Sequence, residues 1–132
     1  TKTAKPTGMP YAAAITSMES STFIPDSTCG VMYVAGQALD KSGTPVTALQ
    51  VYLGGNLPGK SFNPALKTLA GLATAYGPSG FEFNLGVKPA ASKDSLWIQL
   101  SDQSGAPLTD QIFLTTSIDC KKNLIFVRFQ LK

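Results

Sequence analysis

The sequence predicts an all-β fold: a single seven-stranded sandwich preceded by an extended N-terminal arm. Two nearly identical segments support this prediction, DKSGTPVT at residues 40–47 and DQSGAPLT at residues 102–109, and each lies between two apolar runs. In both copies Gly supplies the positive φ of a tight turn, and Asp can accept hydrogen bonds from the backbone two residues on. Pro then stands at the start of the returning strand, where its missing N–H does least harm. We therefore expect each copy to join two β-strands.

The composition fits one small domain that is rich in turns. The chain has 132 residues, of which 43% are hydrophobic and only 14% are charged, with 12 Gly and 9 Pro. The net charge is +3, the lysines are scattered, and Arg128 is the sole arginine. Nucleic-acid binders concentrate their basic residues on one face, so no nucleic-acid partner is expected. No apolar run approaches the roughly 20 residues that span a membrane, so no membrane insertion is expected.

Residues 1–28 differ from the rest of the chain and are assigned to a stalk or arm. The first eight residues, TKTAKPTG, have the composition of a stalk. The apolar residues that follow fit a short helix that begins near Tyr11, but they also fit a strand in which Tyr11, Ala13 and Ile15 alternate. The arm is therefore expected to be extended or to contain a short helix. Its apolar side chains are the candidates for contacts with another subunit: Met9, Tyr11, Ile15, Met18, Phe23 and Ile24.

Residues 29–132 are assigned to the sandwich domain. Short runs with period-two alternation are separated by turn residues, which is the pattern of a sandwich built from short strands. The stretch 54–64 is rich in Gly and Pro and is interpreted as a loop, as is the stretch 87–94. The seven expected strands are 31–39, 46–53, 69–76, 81–85, 96–101, 108–115 and 123–131.

Alternation along these strands assigns their faces. Trp97, Leu124 and Phe126 fall on faces that ought to be polar. Such outward apolar side chains indicate either a surface for a partner or ligand, or a surface that the arm or a long loop covers. Both interpretations are open at this stage. The residues expected to point into the core are Leu49, Val51, Leu53, Phe81, Phe83, Leu85, Leu96, Ile98, Leu100, Ile125, Val127, Phe129 and Leu131.

The two cysteines stand at the two ends of the strand-rich region. Cys29 precedes the first expected strand and Cys120 precedes the last. They cannot form a zinc site alone, because zinc takes four ligands and the chain has no histidine. We expect a disulfide that closes a loop of about 92 residues, worth roughly 4–5 kcal/mol in the chain-entropy model. The alternative is two buried free thiols. A disulfide would place the protein in an oxidising compartment.

Three segments of the domain have counterparts in a known family. VAGQALDKSGTPV at 34–46 is similar to an opening motif, TAYGPSGFEF at 74–83 to a hairpin motif, and DCKKNLIFVRF at 119–129 to a terminal motif. On these segments, residues 29–131 resemble the transthyretin-like and carboxypeptidase-regulatory-like sandwich domains of secreted bacterial surface proteins. The resemblance implies an Ig-like or transthyretin-like sandwich outside the cell, and it implies no activity. The strand 31–39 lacks the lysine of the isopeptide bond in pilin-like relatives, so the disulfide is expected to take that role.

No catalytic constellation is found, and the protein is expected not to be an enzyme. Without histidine there is no Ser-His-Asp or Cys-His arrangement. Four of the eight acidic residues stand in turns or just before strands, where Asp is usually structural, and no catalytic pair of carboxylates is expected among the eight. No glycine-rich phosphate loop precedes a helix. Neither a metal nor a cofactor is expected.

These observations favour a structural role outside the cell as the first hypothesis: a subunit of an extracellular filament or adhesive surface assembly. The arm would add to the sheet edge of a neighbouring copy through main-chain hydrogen bonds, and repetition of that contact would give a homopolymer. The rival hypothesis is a carbohydrate-binding accessory module whose exposed rings bind surface glycans, with Tyr33, Tyr52, Tyr76 and Trp97 as candidates. A third hypothesis is one repeat of a multidomain cell-surface stalk.

Overall fold

The computed structural model describes residues 9–132, and the stalk-like residues 1–8 lie outside that part of the chain. The fold is a sandwich of two four-stranded sheets, which confirms the prediction of an all-β sandwich. Single-turn 3-10 helices occur at Ser20–Thr22, Thr74–Tyr76 and Cys120–Lys122. The strands are β1 (Tyr11–Met18), β2 (Tyr33–Leu39), β3 (Gln50–Leu57), β4 (Lys60–Leu69), β5 (Gly80–Asn84), β6 (Ser92–Ser101), β7 (Ile112–Thr116) and β8 (Leu124–Leu131).

The two sheets differ in which parts of the chain they contain. The first sheet has the strand order β1-β8-β2-β5, so it combines the N-terminal strand with the C-terminal one. The second sheet has the order β4-β3-β6-β7. Neighbouring strands are antiparallel except β2 and β8, which run parallel. The inner faces of both sheets bury the core, which leaves two outer faces for function.

The alternation of apolar residues locates the core correctly. Every predicted core residue is buried except Leu131, which is partly exposed near the end of β8. The core also includes Met32, Phe62 and Leu114, which were not predicted. Phe62 is the largest omission, because it lies in a stretch interpreted as a loop that is in fact part of β4.

Both copies of the repeated turn form the same hydrogen bonds. The Asp40 carboxylate accepts bonds from the N–H groups of Ser42 and Thr44, each at 2.9 Å. In the second copy Asp102 accepts the two corresponding bonds, also at 2.9 Å. The pKa of Asp40 lies below its ordinary value mainly because of the bond from Thr44, and that of Asp102 mainly because of the Ser104 hydroxyl. Such bonds stabilise the charged form, so each carboxylate serves its own turn.

The strand count is eight rather than seven, because the arm contributes β1, and one strand lies elsewhere than predicted. The stretch 54–64, interpreted as a loop, instead continues β3 to Leu57 and begins β4 at Lys60. Most of the stretch 69–76, predicted to be a strand, is a turn followed by the second 3-10 helix. Pro64 fits in β4 because this is an edge strand, where a residue without an N–H is tolerated.

The arm is extended and pairs with its own domain. β1 runs antiparallel to β8 over eight residue pairs, from Tyr11 opposite Leu131 to Met18 opposite Leu124. Of the two interpretations of this segment, the strand is therefore correct and the helix is wrong. The edge of β8 decides between them, because it offers the segment a complete ladder of main-chain hydrogen bonds.

Candidate functional site

The outer face of the first sheet is covered by the arm. Phe23 stacks on Phe126, with ring centroids 5.2 Å apart and ring planes at 7° to each other. Leu124 is fully buried and Phe126 is 8% exposed. The arm therefore covers Leu124 and Phe126, and these two residues do not form a free surface. Other members of this covered cluster are Met18, Ile24, Tyr33, Ala35, Ala73 and Tyr76.

Tyr76 is held in the covered cluster by a hydrogen bond as well as by packing. Its ring centroid lies 4.9 Å from that of Phe23, and its hydroxyl donates to Glu82 Oε2 at 2.7 Å. Burial first, and then the neighbouring Glu82 carboxylate, raise the pKa of Tyr76 well above its ordinary value, because both disfavour the phenolate. Two of the four predicted ring candidates, Tyr33 and Tyr76, therefore belong to the covered face.

A buried asparagine fixes the chain where the arm leaves β1. Asn123 Oδ1 accepts a bond from the Ser20 N–H at 2.8 Å, and Asn123 Nδ2 donates to the Ser20 hydroxyl at 2.9 Å. The same nitrogen donates to the carbonyl oxygens of Thr28 at 3.2 Å and Val31 at 3.0 Å. One side chain therefore joins both ends of the segment 20–31 to the start of β8. This role is not predictable from sequence, because an Asn just before a strand is usually a turn residue.

The predicted disulfide between Cys29 and Cys120 is confirmed, with the two Cα atoms 5.1 Å apart. The segment 20–31, which we call the covering segment, contains Cys29 near its end. Cys120 begins the last 3-10 helix just before β8. A cavity of about 40 Å³ beside the bond has room for one or two water molecules. The disulfide and Asn123 both line this cavity, so the covering segment is fastened twice at one place.

The outer face of the second sheet carries the other two predicted ring candidates, Tyr52 and Trp97. Trp97 of β6 lies opposite Gly54 of β3 on one side and opposite Phe113 of β7 on the other. In the next row along the strands, Tyr52 lies opposite Gln99. Neighbouring strands are about 5 Å apart, so three aromatic residues from three adjacent strands share one face.

Gly54 provides the space that Trp97 occupies. A Cβ atom added at Gly54 would overlap the six-membered ring of the indole. The indole therefore packs directly over the backbone of β3, and Trp97 remains partly exposed. The Gly54-Gly55 pair, which was interpreted as a break in the chain, is in fact where Trp97 packs on the strand.

Phe113 completes the aromatic row and was not predicted as a site residue. Its side chain is 50% exposed although it lies within a strand. Its neighbours Ile112 and Leu114 pack toward the core, so alternation turns Phe113 outward. That alternation is a signal that sequence reasoning could have used. Its position beside Trp97 depends on the register between β6 and β7, which no local pattern predicts.

Amide side chains border these rings and are held by hydrogen bonds. The Tyr52 hydroxyl donates to Gln50 Oε1, and Gln50 Nε2 donates to the carbonyl oxygen of Gln103 at 2.9 Å. Gln99 Nε2 donates to the carbonyl oxygen of Thr109 at 3.0 Å. The face therefore combines aromatic rings with oriented, neutral hydrogen-bonding groups. We call the face formed by Gln50, Tyr52, Trp97, Gln99 and Phe113 the aromatic face.

The remaining charged groups of the described chain do not assemble into a metal site. Residues 9–132 contain no group of three or more His, Cys, Asp or Glu side chains that could hold a metal ion. Asp40 and Asp102 are engaged in their own turns, and Glu82 holds Tyr76. A helix long and apolar enough to cross a membrane is also not found in this part of the chain.

Comparison with known proteins adds little to this description. No family model matches the chain, and no curated protein matches it. Among solved structures, it is similar to the dioxygenase domain of a dioxygenase carbohydrate-binding protein fusion from Streptomyces sp. SirexAA-E. The identity is 14%, 83% of each chain is covered, and the TM-score is 0.43. A similarity this low carries no argument about the type of sandwich or about activity.

Proposed function

We propose that this protein is a non-enzymatic, carbohydrate-binding module that works outside the cell. The observation that supports the proposal is the packing of Trp97 over Gly54, with the half-exposed Phe113 directly opposite on the next strand. The C–H groups on one face of a sugar ring carry partial positive charge, and they fit the negative face of an aromatic ring. A row of rings on a rigid sheet offers several such contacts to one chain of sugars.

The groups around the rings suit the rest of a sugar. Sugar hydroxyls both donate and accept hydrogen bonds, and the amides of Gln50 and Gln99 offer both kinds of group. These amides are held by backbone carbonyl oxygens, so little rotamer entropy would be lost when a ligand binds. None of the five residues of the aromatic face is charged, which favours a neutral glycan over an acidic one.

The extracellular part of the proposal rests on the disulfide and on the family resemblance. A disulfide persists in oxidising surroundings, and the Cys29–Cys120 bond is present. The resemblance of residues 29–131 to transthyretin-like, Ig-like domains of bacterial surface proteins supports the same compartment. Because the proteins in that resemblance are surface proteins, we further propose that this protein is located at the cell surface.

Binding to insoluble polysaccharides tests this function. The protein is mixed with cellulose, chitin, xylan or starch, and the fraction removed from solution is measured over a range of protein concentrations. Trp97→Ala should weaken binding at least about tenfold, and Phe113→Ala should weaken it less. The control is Leu72→Ala, which removes a 70% exposed apolar side chain beside Ala73 of the covered cluster. Retention on none of the four polysaccharides, or equal retention of Trp97→Ala, would contradict the proposal.

A second candidate function is a subunit of an extracellular filament or adhesive assembly, joined by its arm. One observation favours it: apart from one bond from the Tyr11 N–H to the Leu108 carbonyl oxygen, β1 is attached through its ladder with β8, and Ala12, Ala14 and Ile15 are exposed. A β1 strand from another copy would form the same ladder with the same register. Exchange of arms between copies would then produce an open chain of subunits.

Locking the arm to its own domain tests the exchange. Ala14 and Arg128 are exposed and lie opposite each other in β1 and β8, so Ala14→Cys with Arg128→Cys, oxidised as a dilute monomer, should form a disulfide within one copy. The locked monomer should no longer assemble when it is concentrated, whereas Ala14→Ser with Arg128→Ser, which cannot form the lock, should still assemble. Assembly that continues with the lock closed would rule out arm exchange.

A further inference from the structure

We propose that the outer edge of β1 is a self-association surface, which pairs antiparallel with β1 of a second copy to form a two-fold dimer. In this dimer each arm stays on its own domain, and the two first sheets join into one continuous sheet. The proposal concerns a different surface from the aromatic face, and it goes beyond the carbohydrate-binding function without depending on it.

The register of β1 shows which main-chain groups are available at this edge. The Lys132 N–H donates to the Pro10 carbonyl oxygen at 2.9 Å, and the residue pairing continues from there. Hydrogen bonding alternates along an antiparallel pair, so the even-numbered residues of β1 bond to β8. The N–H and C=O groups of the odd-numbered residues therefore point away from β8. Among them, the Tyr11 N–H already donates to the Leu108 carbonyl oxygen at 3.1 Å, so the open part of the edge consists of Ala13, Ile15 and Ser17. Within residues 9–132, no strand pairs with β1 on that side.

The outer edge of β1 lacks the features that normally keep an edge strand from pairing. Native edges are protected by charges, prolines, bulges or shortness. β4 contains Pro64, Lys60 and Lys67 and has an irregular register, and β5 and β7 have only five residues each. β1 has eight residues, YAAAITSM, with no charge and no proline. Of the edge strands in the described chain, it is the one suited to accept another strand.

Ile15 gives this edge an apolar surface as well as free hydrogen-bonding groups. It lies opposite Val127, which is fully buried, yet Ile15 itself is 45% exposed. A strand added beside β1 would cover the side chain from its open side. At Ile15, therefore, both the side chain and the outward main-chain groups lack a neighbour that a second strand would supply.

A second copy of the chain fits this edge better than a charged partner would. The open hydrogen-bonding groups belong to odd-numbered residues, so the two β1 strands can pair antiparallel with Ala14 opposite Ala14 or with Ile15 opposite Ile15. In either register the two Ile15 side chains are neighbours on the same face of the joined sheet. The strand is uncharged, so no like charges within it would meet. The two-fold axis of an antiparallel pair is perpendicular to the sheet, so both copies would present their aromatic faces on the same side.

Sedimentation velocity tests the dimer on the full chain, with two variants aimed at different groups. Wild type should change from monomer to dimer as its concentration rises toward about 1 mM. Ala13→Pro removes an outward N–H without removing a bond to β8, and Ile15→Lys adds a charge at the edge. Both should stay monomeric, with circular dichroism spectra like that of wild type. The matched control is Ser61→Lys, which adds the same charge to an exposed position of another edge strand, β4.

Hydrogen exchange provides a second measurement that needs no variant. In the dimer, the amide protons of Ala13 and Ile15 should become protected as the protein concentration increases. The protection of Ala12 and Ala14, which bond to β8, should change much less. A wild type that remains monomeric to about 1 mM, a dimer that both variants still form, or concentration-independent exchange at Ala13 and Ile15 would each overturn the proposal.

Discussion

The outer faces of the two sheets carry similar apolar side chains, but those of the first sheet are covered by the arm and those of the second sheet are exposed. On the first sheet, Phe126 is buried under Phe23 of the arm, and Tyr76 of the second 3-10 helix packs beside them. On the second sheet, Trp97 is partly exposed and Phe113 is half exposed. An outward aromatic residue in a strand therefore has no fixed meaning. Its role depends on whether another part of the chain reaches its face.

The difference follows from where the arm is attached. β1 occupies the edge of the first sheet beside β8, so the segment that follows it lies next to Leu124 and Phe126. Asn123 and the disulfide then hold that segment in place. We infer that the rings of the first sheet contribute to stability, whereas those of the second sheet are available for binding. The following predictions test this contrast, from the largest expected effect to the smallest.

Removal of the disulfide should have the largest effect on stability. The variant Cys29→Ser with Cys120→Ser should lose about 4–5 kcal/mol of unfolding free energy, since the unfolded chain is no longer closed into a long loop. Denaturant titration measures the loss, and wild type in reductant should match the variant. Trp97 is the only tryptophan, so native fluorescence should stay unchanged if the aromatic face is independent of the covering segment. A loss below about 1 kcal/mol would show that the bond contributes little.

A matched pair of phenylalanine truncations compares the two faces directly. Phe126→Ala should reduce the unfolding free energy by about 3 kcal/mol or more, because it removes a buried ring. Phe113→Ala should change the unfolding free energy by no more than about 0.5 kcal/mol, because its side chain is half exposed. Denaturant unfolding of both variants measures the difference. Equal losses would mean that both faces are structural and would end the contrast.

A methyl group at Gly54 should disturb the aromatic face alone. Gly54→Ala places a Cβ atom where the indole of Trp97 lies, so Trp97 should be displaced at a cost of about 1–3 kcal/mol. The shift in Trp97 fluorescence and the loss of polysaccharide binding measure the displacement. The control is the double variant Gly54→Ala with Trp97→Ala, in which the overlap no longer exists. If the cost persists in the double variant, it comes from the backbone of β3 rather than from the ring.

The smallest effect is a pH dependence that belongs to the covered face. The pKa of Tyr76 is raised above its ordinary value of 10.0, first by burial and then by Glu82. The folded protein therefore keeps this proton to higher pH than the unfolded chain does. The contribution of Tyr76 is complete below about pH 10 and declines as pH rises above it.

The variant Tyr76→Phe isolates this contribution. The difference in unfolding free energy between wild type and Tyr76→Phe should shrink between pH 9 and pH 11, values that bracket the ordinary tyrosine pKa of about 10. Tyr11, whose pKa is also raised by burial and then by Asp40, is unchanged in both proteins and cancels in the comparison. A difference that is constant with pH would show that the Tyr76 phenol does not titrate in this way.

The parts of the fold that local chemistry determines could be predicted from sequence. The two Asp-Gly-Pro turns form as expected because their hydrogen bonds lie within eight residues. The core faces of β6 and β8 follow from alternation alone, and so does the outward direction of Trp97. These predictions needed no knowledge of which strands are neighbours.

The errors occurred where a distant contact decides the local structure. Gly54 and Pro64 resemble chain breakers, but Gly54 packs under Trp97 and Pro64 lies in an edge strand. The segment around Ile15 fitted a helix and a strand equally until the edge of β8 was known. The neighbours of Trp97 likewise depend on strand register. The core was therefore predictable, whereas the composition of the aromatic face was not.

The placement of the two outermost strands has a mechanical consequence. Tyr11 pairs with Leu131, so a force that pulls these residues apart acts on one end of the β1–β8 ladder and breaks its hydrogen bonds one after another. Such unzipping needs less force than shearing the whole ladder at once. When it reaches the bond between Cys29 and Cys120, tension passes through the sulfur atoms and leaves the hairpins between them unloaded. β8 stays paired with β2, so only the arm is released. The domain would lengthen by about 60 Å, the extended length of the roughly 18 residues from Tyr11 to Cys29, and then resist further extension as a covalent link.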